Sequence, residues 1–165
     1  MCETELLKKA TQVINKIKAE GHTLALAESC TGGWLSKIVT DVSGASAVYK
    51  GGICSYSNEV KMSLLGVKEE TLAQHGAVSE QTARQMAEGV KKALNTDIGV
   101  GITGIAGPTS DNTSKPVGLI YVAVAYRDSI TVTELRNTFT DNVRTNNRTS
   151  AVDTALNLLG DIYER

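Results

Sequence analysis

The chain has few aromatic residues, few histidines and few cysteines. Aromatic side chains make up 4% of its 165 residues, so a core has to be built mainly from Leu, Ile, Val and Ala. The cysteines Cys2, Cys30 and Cys54 are odd in number, which speaks against a disulfide framework and indicates free thiols in a reducing compartment. No group of His, Cys, Asp or Glu has the spacing of metal ligands, so we expect no metal cofactor.

The chain also lacks a large excess of charge of one sign, and it lacks long apolar runs. The net charge is −1, which argues against a nucleic-acid partner that needs a broad basic face. No apolar run approaches the roughly 20 residues of a membrane helix, and the start lacks the layout of a secretion signal. We expect one domain over residues 1–165 in the cytoplasm, with no nucleic-acid or membrane partner.

Strand-like and helix-like patterns alternate along most of the chain. This order predicts an α/β fold, a three-layer αβα sandwich, and a hairpin between the last two strands makes its mostly parallel sheet mixed. Residues 140–148 are interpreted as a loop. Strands are predicted over 23–27, 48–56, 98–102, 118–126 and 130–139, and helices over 4–19, 33–42, 59–64, 68–75, from a Ser79 cap onward and over 151–162.

Two loops that follow predicted strands are candidates for a site, because ligands of open α/β sheets bind beyond the carboxyl ends of strands. The first is Glu28-Ser-Cys-Thr-Gly-Gly33. Ser29 is either a nucleophile beside backbone N–H donors or a helix cap. Cys30 is a rival nucleophile or a small buried hydrophobe, and Thr31 can cap the helix if Ser29 reacts. The second loop, Thr103–Pro108, offers a backbone cradle for an anion or amide.

A nucleophilic serine needs a base, and the two histidines fit this role poorly. His22 precedes the first strand, and His75 lies in a short helical turn. Lysine is the alternative if it is desolvated enough to be neutral. Lys61 follows a strand end, Lys115 lies after Pro108, and each is otherwise a solvated surface charge.

Three co-linear blocks resemble the CinA C-terminal domain family, which includes nicotinamide-nucleotide amidases. The blocks are Ala27–Gly33, Tyr56–Lys61 with Leu65–Val67, and Gly101–Pro108, and shorter matches occur at His75–Ser79 and Lys115–Gly118. The resemblance fills the chain. It implies hydrolysis of the carboxamide of nicotinamide mononucleotide to nicotinate mononucleotide and ammonia, without a cofactor, by a homo-oligomer that serves pyridine-nucleotide recycling.

The resemblance also implies roles for individual residues. Ser29 is the expected nucleophile, with Lys61 and Tyr56 as base and relay. The residues expected to shape the substrate site are Cys30, Thr31, Gly32, Gly33, Thr103, Gly104, Ile105, Ala106, Gly107, Arg144 and Arg148.

Two segments depart from the family pattern. Residues 109–114 lack the usual acidic residue followed by glycines, and residues 140–148 lack a glycine before the arginines. These segments are the ones expected to hold the ribose phosphate. The alternative function is therefore a nucleotide-binding or regulatory paralogue with weak or no amidase activity.

Overall fold

The computed structural model describes residues 1–110 and 113–164, and within these ranges it contains five strands and six α-helices. The strands are β1 (Leu24–Glu28), β2 (Tyr49–Cys54), β3 (Ile98–Gly104), β4 (Leu119–Tyr126) and β5 (Ser129–Arg136). The helices are α1 (Glu3–Ala19), α2 (Trp34–Thr40), α3 (Asn58–Leu65), α4 (Glu69–His75), α5 (Glu80–Ala93) and α6 (Val143–Asp161).

The strands form one sheet in the order β2-β1-β3-β4-β5. β1 pairs in parallel with β2 and β3, whereas β4 is antiparallel to both β3 and β5. β5 therefore points the same way as β3, and four of the five strands share one direction. The predicted mixed, mostly parallel sheet and its terminal hairpin are confirmed.

Helices cover both faces of this sheet, as the burial of successive residues of β1 shows. Leu24 and Leu26 pack into a core that includes side chains from α1, α2 and α6. Ala25 and Ala27 point to the other face and pack against residues of α3 and α5. Because successive side chains of a strand point to opposite faces, this division confirms the three-layer αβα architecture.

The site is positioned by the register of the three parallel strands. Glu28, the last residue of β1, lies opposite Cys54 of β2 and Ile102 of β3. The residues that follow these partners, Ser29, Ser55 and Thr103, therefore reach the same edge of the sheet.

One predicted loop is wrong. Residues 143–148 form the first turns of α6, which begins at Val143 rather than near Ala151. The sequence conceals this helix because a polar run, Arg144-Thr-Asn-Asn-Arg148, opens it and interrupts the apolar pattern. In the part of the chain that the structure describes, no helix has both the length and the apolar character needed to cross a membrane.

Candidate active site

The loop after β1 is a tight turn held against the neighbouring strand. The N–H of Ser29 donates to the carbonyl of Ile102 over 3.1 Å, and the N–H of Gly32 donates back to the carbonyl of Ser29 over 3.0 Å. Gly32 and Gly33 have φ angles of 58° and 91°. Residues with side chains rarely adopt this left-handed region, so the two glycines allow the chain to turn from β1 into α2.

Lys61 reaches this loop from the first turn of α3. Ser57 caps that helix, as predicted, by accepting a hydrogen bond from the N–H of Val60. The side chain of Lys61 is directed into the protein and is only 2% exposed. Its Nζ lies 3.2 Å from Ser29 Oγ and 2.7 Å from the carbonyl oxygen of Ser55. Burial lowers the pKa of Lys61 from its usual 10.5, because desolvation disfavours the charged form.

Cys30, the rival nucleophile, has a different environment. Its side chain packs within the main apolar core and is 7% exposed. Burial raises the pKa of the Cys30 thiol to about 12, so the thiolate form needed for nucleophilic attack is scarce at neutral pH. The thiol therefore behaves as a small buried hydrophobe.

The two histidines lie away from Ser29. His22 stands at the opposite end of β1, where its Nδ1 lies 3.0 Å from the Tyr163 hydroxyl. His75 is exposed at the end of α4. The structure thus brings a lysine, rather than a histidine, next to Ser29.

Tyr56 stands at the rim of the site with its side chain 67% exposed. Its hydroxyl accepts a hydrogen bond from Arg144 Nη2 over 3.3 Å, while Arg144 Nη1 donates to the carbonyl of Gly107 over 2.9 Å. Arg144 therefore links the segment before α3 to the loop after β3.

A cavity of about 190 Å³ opens between these elements. Ten of the fourteen predicted site residues line it. Ser110 and Thr113 also line it and lie in the segment 109–114 that was expected to hold the ribose phosphate, whereas Asn58, Ala77 and Val78 are lining residues that were not predicted. Thr31, Gly32, Gly33 and Arg148 lie outside this lining. The ten predicted residues that line it are Ser29, Cys30, Tyr56, Lys61, Thr103, Gly104, Ile105, Ala106, Gly107 and Arg144.

Comparison with known proteins shows the family of this chain. The model of the CinA C-terminal domain matches residues 6–163. The chain belongs to the CinA C-terminal domain family. It is 50% identical over 125 residues to the nicotinamide-nucleotide amidohydrolase PncC of Escherichia coli K12, covering 76% of each chain. It is also 46% identical over 153 residues to a CinA-like protein of Thermotoga neapolitana, covering 93% of this chain and 37% of that longer relative.

Solved structures of the family have the same fold. The competence/damage inducible protein CihA from Agrobacterium tumefaciens aligns with a TM-score of 0.88 at 38% identity, over 96% of this chain and 94% of that one. A CinA superfamily protein from Escherichia coli aligns with a TM-score of 0.89 at 26% identity, over 98% of this chain and 93% of that one.

In this CinA C-terminal domain, side chains of α6 donate hydrogen bonds to both loops of the site, the one after β1 and the one after β3. Asn147 and Arg148 lie three and four residues after Arg144, so the three side chains share one helix face. Asn147 Nδ2 donates to the carbonyl of Ala106 over 3.0 Å. Arg148 donates through Nε to the carbonyl of Cys30 over 3.1 Å and through Nη2 to that of Thr31 over 2.8 Å. Asn147 was not predicted, although its spacing from the two arginines is a usable signal once the helix is recognised.

Glu28 is a second residue near the site whose role was not predicted. Its buried carboxylate accepts hydrogen bonds from the N–H of Leu35 over 3.1 Å, the N–H of Ser36 over 2.8 Å and the hydroxyl of Ser36 over 2.7 Å. The predicted cap of α2 by Thr31 is wrong, because Gly33 is the N-cap residue and Glu28 supplies the acceptor. Neither Ser29 nor Thr31 is used as a cap, and the Ser29 hydroxyl is left to face Lys61.

The described residues, 1–110 and 113–164, contain no group of three or more His, Cys, Asp and Glu side chains arranged to hold a metal ion.

Proposed function

We propose that this CinA C-terminal domain hydrolyses the carboxamide of nicotinamide mononucleotide, with Ser29 as nucleophile and Lys61 as its base. The observation that carries the proposal is the 3.2 Å distance between Lys61 Nζ and Ser29 Oγ at a lysine that is almost completely buried. Assignment to the amidases rests on the 50% identity to the nicotinamide-nucleotide amidohydrolase.

Lys61 has the two properties that a base for serine needs. Burial lowers its pKa, which increases the fraction that is neutral and able to accept a proton. The Ser55 carbonyl fixes the position of Nζ by accepting one of its hydrogens. The lone pair of the neutral amine then points to Ser29 Oγ, whose hydroxyl donates to it.

The reaction proceeds in two steps. Ser29 Oγ attacks the carboxamide carbon while its proton moves to Lys61 Nζ. The tetrahedral intermediate collapses when Lys61 gives that proton to the carboxamide nitrogen, the C–N bond breaks and ammonia leaves. Water then attacks the ester on Ser29, and nicotinate mononucleotide leaves with the regenerated serine. We assign the stabilisation of the oxyanion to backbone N–H groups of the turn that follows Ser29, because Cys30 and Thr31 come directly after the nucleophile in this turn.

The remaining predicted residues have roles around the substrate. We assign the phosphate to Arg144, because its guanidinium is exposed at the rim of the cavity and binds phosphate well. Tyr56 stands beside it and remains a predicted relay. A substrate contact by Arg148 remains a prediction, since both of its known hydrogen bonds hold the loop around Ser29. A homo-oligomer and a cytoplasmic location also remain predictions.

Ammonia release from nicotinamide mononucleotide tests the proposal. Ser29→Ala is expected to lose activity by about a thousandfold or more, since the covalent step is removed. Ser63→Ala, which alters an exposed serine of α3, is the control and should match the wild type. Full activity of Ser29→Ala excludes the proposed mechanism.

The alternative is a paralogue that binds the nucleotide without turnover. It is favoured by the unusual segment 109–114, of which Asp111 and Asn112 lie outside the described residues. Calorimetric titration separates the two functions. Tight binding of nicotinamide mononucleotide without ammonia release supports the paralogue, and rapid release eliminates it.

A further inference from the structure

The turn between α4 and α5 forms one wall of the cavity. Ala77 and Val78 line the cavity from this turn, and neither lies in a helix or strand. Their position therefore depends on what the backbone of the turn is bonded to.

Side chains of the N-cap and first turn of α5, and of β3, bind the middle of this turn. The carbonyl of Gly76 accepts hydrogen bonds from the hydroxyls of Ser79 and Thr82, over 3.0 and 2.8 Å. The carbonyl of Ala77 accepts one from the hydroxyl of Thr103, over 2.7 Å. Thr103 itself lines the cavity, so the turn is tied directly to the site.

Lys115 binds the two ends of the same turn. Its ammonium group donates to the carbonyls of His75 and Val78. His75 is the last residue of α4, where the partial negative charge of the helix end attracts a cation. The turn wraps closely around the ammonium group, because a Cβ at Gly76 would lie 3.3 Å from Lys115 Nζ.

Lys115 reaches the turn from a different part of the chain that also borders the cavity. It belongs to the segment between Ser110 and β4, and Ser110 and Thr113 of that region line the cavity. One lysine thus connects two segments that line the cavity, through two charge-assisted hydrogen bonds, which are stronger than neutral ones.

We infer that Lys115 is a positioning residue for the substrate. It holds Ala77 and Val78 in place, and these two residues form the wall against which the pyridine ring packs. This inference rests on the proposed function. The side chains of Ala77, Val78 and Ile105 give the wall an apolar surface. Such a surface suits the face of a planar ring. Lys115 acts through the turn and does not touch the Ser29–Lys61 pair.

Replacing Lys115 should weaken substrate binding more than it slows the chemical step. In Lys115→Met the two carbonyls lose their shared donor and the wall shifts, so KM for nicotinamide mononucleotide rises by about tenfold or more. The turnover number kcat changes by less, because Ser29 and Lys61 keep their contact. Lys115→Arg retains a cation with several donors and should restore much of the affinity.

The experiment measures kcat and KM for ammonia release, together with hydrogen exchange of the amides of residues 75–79. The variants are Lys115→Met and Lys115→Arg, with Lys92→Met, an exposed lysine of α5, as the control. Faster exchange and a raised KM in Lys115→Met, reversed in part by Lys115→Arg, support the inference. Faster exchange with an unchanged KM, or unchanged exchange, overturns it.

If the proposed function is wrong, the inference is tested by substrate binding instead of by kinetics. If the wild type releases no ammonia, calorimetric affinity for nicotinamide mononucleotide replaces KM in the same comparison. An affinity that is weaker in Lys115→Met than in the wild type supports the inference, and equal or undetectable affinities overturn it.

Discussion

Ser29 and Lys61 meet although 32 positions separate them in the chain, with Lys61 Nζ 3.2 Å from Ser29 Oγ. Ser29 follows β1, and Lys61 lies one turn into the helix that follows β2. Because β1 and β2 are parallel neighbours, their carboxyl ends present both residues at one edge of the sheet. The pair is thus a direct consequence of the strand order.

The rate of ammonia release should depend on the protonation of Lys61. Burial lowers the pKa of Lys61 below 10.5, and only the neutral amine accepts the serine proton. We therefore expect kcat/KM to rise with pH and to level off above the pKa of Lys61, at a pH below 10.5. Steady-state assays between about pH 6 and pH 10 measure this profile. A rate that is independent of pH over that range contradicts the role of Lys61 as base.

The free energy of unfolding should also depend on the protonation of Lys61, and the direction of its change with pH can be stated. Between the lowered pKa of folded Lys61 and 10.5, the unfolded chain binds a proton that the folded chain does not. The free energy of unfolding of the wild type therefore rises with pH relative to Lys61→Met, by up to about 1.4 kcal/mol per pH unit. Urea unfolding of both proteins at several pH values measures this difference. A difference that is constant with pH contradicts the lowered pKa.

Cys30 should be dispensable for the reaction. Its pKa of about 12 keeps the thiol protonated, and its side chain packs in the core. We expect Cys30→Ala to retain activity within about tenfold, with some loss of stability from the smaller side chain. Thiol alkylation of the native wild type should likewise leave ammonia release intact. Inactivation by the reagent that is absent in Cys30→Ala identifies a thiol enzyme instead.

Glu28 should matter for stability through the start of α2. Glu28→Gln replaces one acceptor oxygen by an NH₂ group that faces existing donors, so the free energy of unfolding should fall by about 2–4 kcal/mol. Glu20→Gln, at an exposed glutamate, is the matched control and should change little. Urea unfolding compares the two, and equal stability of Glu28→Gln and the wild type refutes the capping role.

Local patterns predicted much of the fold. The apolar positions of α1 and α5, the caps at Ser57 and Ser79 and the β4–β5 hairpin are all present. These features depend on neighbours within a few residues, which is the range that periodicity and capping rules describe. The exclusion of the histidines also rested on local position, and the structure agrees.

Long-range polar contacts could not be predicted in the same way. Glu28 binds α2 seven and eight residues along the chain, and Asn147 binds a carbonyl 41 residues away. The first turns of α6 were missed because their side chains bind site loops instead of an apolar core. The burial of Lys61 likewise depends on packing between elements, and composition alone favours an exposed lysine.

The role of Ser29 as nucleophile is tested by locating the covalent intermediate on the protein. The protein is mixed with nicotinamide mononucleotide, quenched in acid within the first turnover and analysed by peptide mass spectrometry. We expect an acyl group on the Ser29 side chain, formed together with one equivalent of ammonia, and neither product in Ser29→Ala. An acyl group on Cys30, or undiminished ammonia release by Ser29→Ala, contradicts this role of Ser29.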